Sequence, residues 1–395
     1  LRLTDALWFA GAASPPHQEL ELNVKYLTFA AIAAAFASAA AAAQTVDIHL
    51  EPSAFDLSQA RSASFEEHAG RPALCLDGAA LINTVQERHG TLRADVLNTG
   101  RRAFANIIFH AESAETFEAA YLRLHKSGHP DAVQYTPHIG GESHWQLLGD
   151  AQGPADFGDG DWVTLHVAFE GDRARVRVTD TEGAQLGGLQ IADLRLNGGG
   201  DRIGLNALFG ACYSNVSFDP SRPDLGELPA PEPAPSGAIT QWSISPAQPF
   251  TGFPDQPGQA DAWNNVAAEP DGFVYFARYA DRSRSGEFES NPEDLIFAGV
   301  QIESDGPRTV PLQLDASDKA RIWLNGQPLA EFDNSFRRKG LMFRGDVDPE
   351  AQTVFLSLAA GENTLVIAVA ERANGWGLAA ILPDQDGLTV GPLLP

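Results

Sequence analysis

Positive charge is scarce in this chain: its 395 residues hold 27 Lys and Arg against 52 Asp and Glu, a formal net charge of -25. Such a field repels a phosphate backbone and an anionic bilayer, so nucleic acid is not expected as a partner and a charged membrane surface fits poorly. Cysteine is scarcer still, with Cys75 and Cys212 alone. In an oxidising compartment they can form one bridge if their Cα atoms come within about 7 Å, and otherwise they read as two buried thiols acting as small hydrophobes.

Catalytic signatures are missing too. There is no G-x-S-x-G nucleophile elbow. The E-x-D-x-(x)-E strand, which sets two carboxylates about 5–5.5 Å apart across a glycosidic bond, is also absent. His125, His129, His138 and His144 lie close in sequence, yet they form no H-x-x-x-H on a helix and no H-x-H on a strand. Zinc needs three or four convergent ligands, so no metal and no cofactor is expected. DFGDGDW, with Asp156, Asp159 and Asp161, lacks the alternation and closing Glu of a calcium loop and reads as a tight turn before Trp162. NGGGD at 197–201 has no helix after it to hold a phosphate.

What is present begins with an export pattern. From Val24 the chain runs VKYLTFAAIAAAFASAAAAAQ, one Lys, an apolar run and small residues, which is the layout of a secretory signal over 24–43 with cleavage before Gln44. The run is mostly Ala and lacks a stop-transfer cluster, so no membrane span is expected after cleavage and the location reads as periplasmic or extracellular. Residues 1–23 then read as an over-called upstream segment.

Downstream, Pro recurs through 221–238 with no hydrophobic period, the composition of a semi-rigid linker between a domain at 44–220 and one at 239–395. Before it come short alternating segments such as TLRADV, FANIIF, YLRLHK, WVTLHVAF and ACYSNVSF, punctuated by Gly, Pro, Asp and Asn. Many short strands without long helical periods imply an antiparallel sandwich. Cys75 and Cys212 fall in its first and last strands. After the linker, ARIWLNGQPL has a hairpin turn at Asn325-Gly326, and TVFLSLAAGENTLVIAVAE reads as a second hairpin. The expected fold is all-β, two β-sandwich domains joined by a Pro-rich linker.

The stretch 121–150 carries the chemistry. With a period of two, Leu122 and Leu124 point inward while Tyr121, Arg123 and His125 share the other face. Aromatic faces stack on the C–H patches of a sugar, and amides and guanidinium forks fix its hydroxyls; Gln134, Tyr135, His144, Trp145 and Gln146 add to that set. Glu118 is the best carboxylate for the face bearing Tyr121 only if the strand bends between them, since their spacing is odd. Glu118 and His125 are the candidates for proton transfer. Arg337, Arg338, Lys339 and Arg344 read as a solvated basic loop, and Trp376 as packing.

HAGRPALCLDGAALINTV, GTLRADV, FEAAYLR, SGHPDAVQYTP, ARVRV and GDRIGL…YSNVSF together resemble the concanavalin A-like, laminin-G-like sandwiches grouped with the 3-keto-disaccharide hydrolase-like domains. Glu87 departs from that pattern. The resemblance implies a concave face holding a saccharide, with Glu118, Tyr121, Arg123, Gln134, Tyr135 and Trp145 at the matching polar positions, and it allows a single structural calcium, which laminin-G-like relatives often hold. Residues 240–395 more loosely resemble galactose-binding-like jelly rolls. Three functions follow: an exported carbohydrate-binding protein, a glycoside hydrolase-like enzyme acting on a modified (3-keto) disaccharide, and a structural or adhesive envelope protein.

Overall fold

The computed structural model describes residues 44–196, 198–258, 262–282 and 290–393. The upstream segment at 1–23 and the signal at 24–43 lie outside the described residues. Strand is their dominant regular structure, and their helical pieces are single 3-10 turns. Among them, no helix is long and apolar enough to cross a membrane.

Strands from Val46 to Asp219 belong to one hydrogen-bonded sheet folded over itself into a sandwich. Two long antiparallel strands, Arg71–Gln86 and Arg202–Asp219, run through both layers. Their register skips between Ala207, opposite Gly78, and Ala211, opposite Leu76, so that Leu208, Phe209 and Gly210 bulge outward. The turn there needs left-handed backbone: Phe209 has φ 66° and Gly210 φ 80°. Opposite it, Gly78 has φ 99°, and a Cβ there would sit 2.4 Å from the Gln59 carbonyl oxygen. Before the bulge, Arg202–Leu208 pairs with Phe104–Ala111, which leads on to Phe117–Arg123 and Val133–Ile139 in the front layer. Beyond it, Tyr213–Asp219 pairs with His89–Leu97, followed by Trp162–Glu170 and Arg173–Asp180 in the back layer.

The alternating segments fill the space between the layers. Val163, Leu165, Val167 and Phe169 from one strand meet Leu92, Ala94 and Val96 from its neighbour and Ala120 and Leu122 from the front layer. Cys75 and Cys212 are register partners in the two long strands and are joined by a disulfide.

After residue 240 an eight-stranded and a four-stranded sheet enclose a second interior built on Trp242, Ile296, Ile322, Leu356, Ile367 and Trp376. Asn325 (φ 52°) and Gly326 (φ 76°) make the hairpin between Lys319–Leu324 and Gln327–Asp333. The second expected hairpin does not form. Gln352–Leu358 pairs with Arg308–Ser317 in the small sheet, whereas Gly361–Glu371 pairs with Asp294–Ser304 in the large one, so the intervening turn crosses between layers. Asn363 holds that crossing, its amide donating to the carbonyls of Ala359 and Gly361 at 3.0 Å and its oxygen accepting from Ala359 N at 2.9 Å. Trp376 is fully buried, with Nε1 donating to Val369 O at 3.2 Å.

Candidate functional site

Strand Phe117–Arg123 puts Glu118, Ala120 and Leu122 on its inner face and Phe117, Ala119, Tyr121 and Arg123 on its outer face. Across the ladder Asn206 faces Asn106, Asn106 faces Tyr121, Tyr121 faces Gln134, and Gln134 faces Gln152. Because every second residue shares a side, this register lines one phenol and four amides in a row on the outer side of the front layer, where Asn106, Tyr121 and Gln134 are buried and Asn206 and Gln152 are half-buried.

The row is held by its own bonds. The Tyr121 hydroxyl lies 2.8 Å from the Gln134 amide. The Arg344 guanidinium can only donate, so the Gln134 oxygen turns to it, at 3.0 and 3.2 Å, and the Gln134 amide group donates to Tyr121. That leaves the phenolic hydrogen for another acceptor. Asn106 Nδ2 donates to Asn206 O at 3.0 Å.

A ring cluster stands beside the row. Phe104 has Tyr121 at 6.0 Å, His125 at 5.4 Å and Phe209 at 6.1 Å between centroids. The guanidinium of Arg123 lies over Phe104 and that of Arg102 over Phe209. Phe209 is 54% exposed, because the bulge lifts it off the sheet. Asp131 pairs with Arg123, Lys126 and Arg344. Burial opposes its charge, but these three cations hold its carboxyl below the ordinary value.

Four of the expected residues therefore meet here: Tyr121, Arg123, His125 and Gln134. Glu118 does not. The strand stays in register from Phe117 to Leu122, so no bend brings the carboxylate round. Glu118 is fully buried in the interior, where Oε1 accepts from Leu196 N at 2.6 Å and Oε2 accepts from the Tyr135 hydroxyl at 2.7 Å. Tyr135 is its interior partner, on the face opposite Gln134. His125 sits in the 3-10 turn that ends the strand, and burial, then Arg123 and Arg102, pull it down to about 4, so it is neutral at pH 7 and a poor proton donor.

His144, Trp145 and Gln146 go elsewhere, to the contact with the C-terminal half. Gln146 is fully buried, and its amide donates to Arg344 O at 2.9 Å and Gly345 O at 3.1 Å. Trp145 Nε1 donates to Asn374 Oδ1 at 3.1 Å, and the Arg344 guanidinium covers its ring. His144 is buried, which lowers it to about 4, and its Nδ1 lies 2.9 Å from Glu142 O. Asp156, Asp159 and Asp161 do not gather: among the described residues, the one trio of metal-ligating atoms lying within 4.8 Å of one another belongs to His68, Cys75 and Cys212.

Sequence reasoning missed Phe104, Asn106, Asn206, Phe209, Gln152 and Arg344. FANIIF does alternate, Phe104 and Asn106 against Ala105 and Ile107, so their shared face was legible. Their neighbours were not, because pairing across strands has no local signal. Arg344 belongs to the loop read as solvated, and it reaches back to Gln152 at 2.7 Å.

No family model and no curated protein matches the chain. Among solved structures it is similar to the carbohydrate binding module CBM66 from Bacillus subtilis, 14% identical over 42% of this chain and 95% of that one, TM-score 0.31. It is also similar to the galectin LEC-6 of Caenorhabditis elegans, 15% identical over 40% of this chain and 94% of that one, TM-score 0.24. A xylan beta-1,4-xylosidase from Bacillus halodurans is 14% identical over 43% of this chain and 35% of its own, TM-score 0.29. Likenesses this faint say nothing of what this chain binds.

Proposed function

We propose that the outer face of the front layer binds a saccharide and that the chain is an exported carbohydrate-binding protein. One observation carries the reading: the in-register row of Asn206, Asn106, Tyr121, Gln134 and Gln152 beside the ring cluster of Phe104 and the exposed Phe209. The half-buried amides of Asn206 and Gln152 at the ends of the row suit hydroxyl groups, the buried Asn106, Tyr121 and Gln134 between them hold the row in place, and the exposed Phe209 ring suits the apolar face of a pyranose. A hydrolytic reading is less supported, since Glu118 faces away from this surface and His125 stays neutral.

A glycan array probed with residues 44–395 tests the proposal. At least one saccharide should be retained by the parent, and Phe209→Ala should weaken that binding about tenfold, the loss of one stacking ring, with folding intact because the ring is half exposed. Retention of no saccharide across a broad panel, or binding indifferent to both Phe209→Ala and Tyr121→Phe, would sink it.

A further inference from the structure

Just past the bulge that carries Phe209, the two long strands hold a cluster that the proposed function does not use. Cys75 and Cys212 are directly opposed, with Cα atoms 3.9 Å apart, and each is only partly covered. An open cavity of about 250 Å³, bordered by Ser62, Ser64, Gly210 and Ala211, gives onto both cysteines. His68 is exposed at the end of strand Ala60–His68, and a ring nitrogen of it lies within 4.8 Å of both sulfurs. Two sulfurs and an imidazole on one spot, with solvent access, are the donors of a thiophilic metal site.

We propose that Cys75, Cys212 and His68, once the disulfide is reduced, bind a divalent cation of the zinc class, with the cavity leaving the fourth position to water. Zinc holds sulfur at about 2.3 Å and imidazole nitrogen at about 2.0–2.1 Å, so on a tetrahedral ion two sulfurs stand roughly 3.8 Å apart. The three ligand atoms already lie within 4.8 Å of one another, close to that spacing. A dithiol donor supplies the first step: two electrons and two protons pass to the S–S bond, giving two thiols, and the donor leaves as its own disulfide. The cation then displaces both thiol protons to solvent and is held by two thiolates and a neutral imidazole. Disulfide and metal are mutually exclusive, because the same two sulfurs make either.

Untagged protein, reduced with a water-soluble phosphine and desalted without oxygen, is titrated with Co²⁺ as a spectroscopic substitute for zinc. One equivalent should bind, with a thiolate-to-cobalt charge-transfer band, while the oxidised protein shows none. His68→Ala leaves the disulfide and its strands untouched, and after reduction should bind cobalt more weakly by more than the roughly tenfold that loss of an outer partner costs a metal site. Thermal unfolding supplies the second readout. Zinc should raise the midpoint of the reduced protein, or restore its fold if reduction loosens it, and should leave the oxidised protein unchanged. Reduced protein with two titratable thiols that neither takes up cobalt nor gains stability from zinc overturns the proposal, as does His68→Ala binding as tightly as the parent.

Discussion

Glu118 is a carboxylate shut away from water, and its surroundings fix how it behaves with pH. Burial pushes it up to about 7 from 4.5, while the Leu196 amide, the Tyr135 hydroxyl and the charges of Arg195 and Arg278 pull the other way. A raised folded value means that the native chain keeps a proton the unfolded chain has released. The group's stabilising contribution is complete below about pH 4.5 and is lost as pH rises through 7. A shift of that size corresponds to something on the order of 3 kcal/mol. Glu118→Gln keeps the shape and an acceptor for Leu196 N but cannot titrate. In urea unfolding the parent should lose stability between pH 5 and pH 8 relative to the variant, and equal slopes for the two would refute this account. The residue's inward orientation follows from parity, since positions 118 and 121 must lie on opposite faces of an unbroken strand. That face was legible, since Leu122, four positions on, marks the inner side; what no local window showed was that the strand runs unbroken from Phe117 to Leu122.

At the scale of elements, the bulge at Leu208–Gly210 and the nearby disulfide both belong to the pair of long strands that joins the two layers. The bridge spans 137 residues of sequence. Closing so long a loop removes much freedom from the unfolded chain, and loss of such a bridge costs about 2–5 kcal/mol. Replacing both cysteines by Ala should therefore lower the urea midpoint substantially with the strand signature in circular dichroism retained, and an unmoved midpoint would show that the long strands hold each other without it. Strands themselves were legible: WVTLHVAF and ARIWLNGQPL alternate and turn as their residues demand. Partners were not, and AAGENTL shows why. Gly-Glu-Asn reads as a hairpin turn from local preference, yet Asn363 satisfies the backbone of the turn while the chain crosses to the opposite sheet, so that Leu356 and Ile367 close one interior from two sides. That outcome depends on burying both strands' apolar faces, which no local window contains.

Across the whole molecule, polar side chains that suit a sugar are spent instead on joining the two halves. Gln146 is the centre of that contact. Its backbone N donates to Asn374 O at 3.1 Å, its carbonyl accepts from Val347 N at 2.8 Å, and its side chain bonds the Arg344 and Gly345 carbonyls. Around it Arg195 pairs with Asp271, and Arg282 with Glu142 at 3.0 Å. A buried amide that answers two backbone carbonyls and an isolated sugar-binding amide look identical in sequence. Gln146→Ala leaves the Arg344 carbonyl without that donor and the buried Gly345 carbonyl with Asn334 Nδ2 at 3.4 Å, at a cost of about 1–3 kcal/mol. If the halves stabilise each other through this contact, calorimetry of the parent should give one cooperative transition, and the variant should either shift it downward or split it in two. Of the tryptophans in 44–395, Trp145 and Trp162 lie in the N-terminal half and Trp242, Trp263, Trp323 and Trp376 in the C-terminal half, so a fluorescence melt is weighted to the C-terminal half and should move even though the substitution lies in the N-terminal half. A C-terminal midpoint that stays in place would mean two independent sandwiches on a linker, with the buried contact contributing nothing to stability.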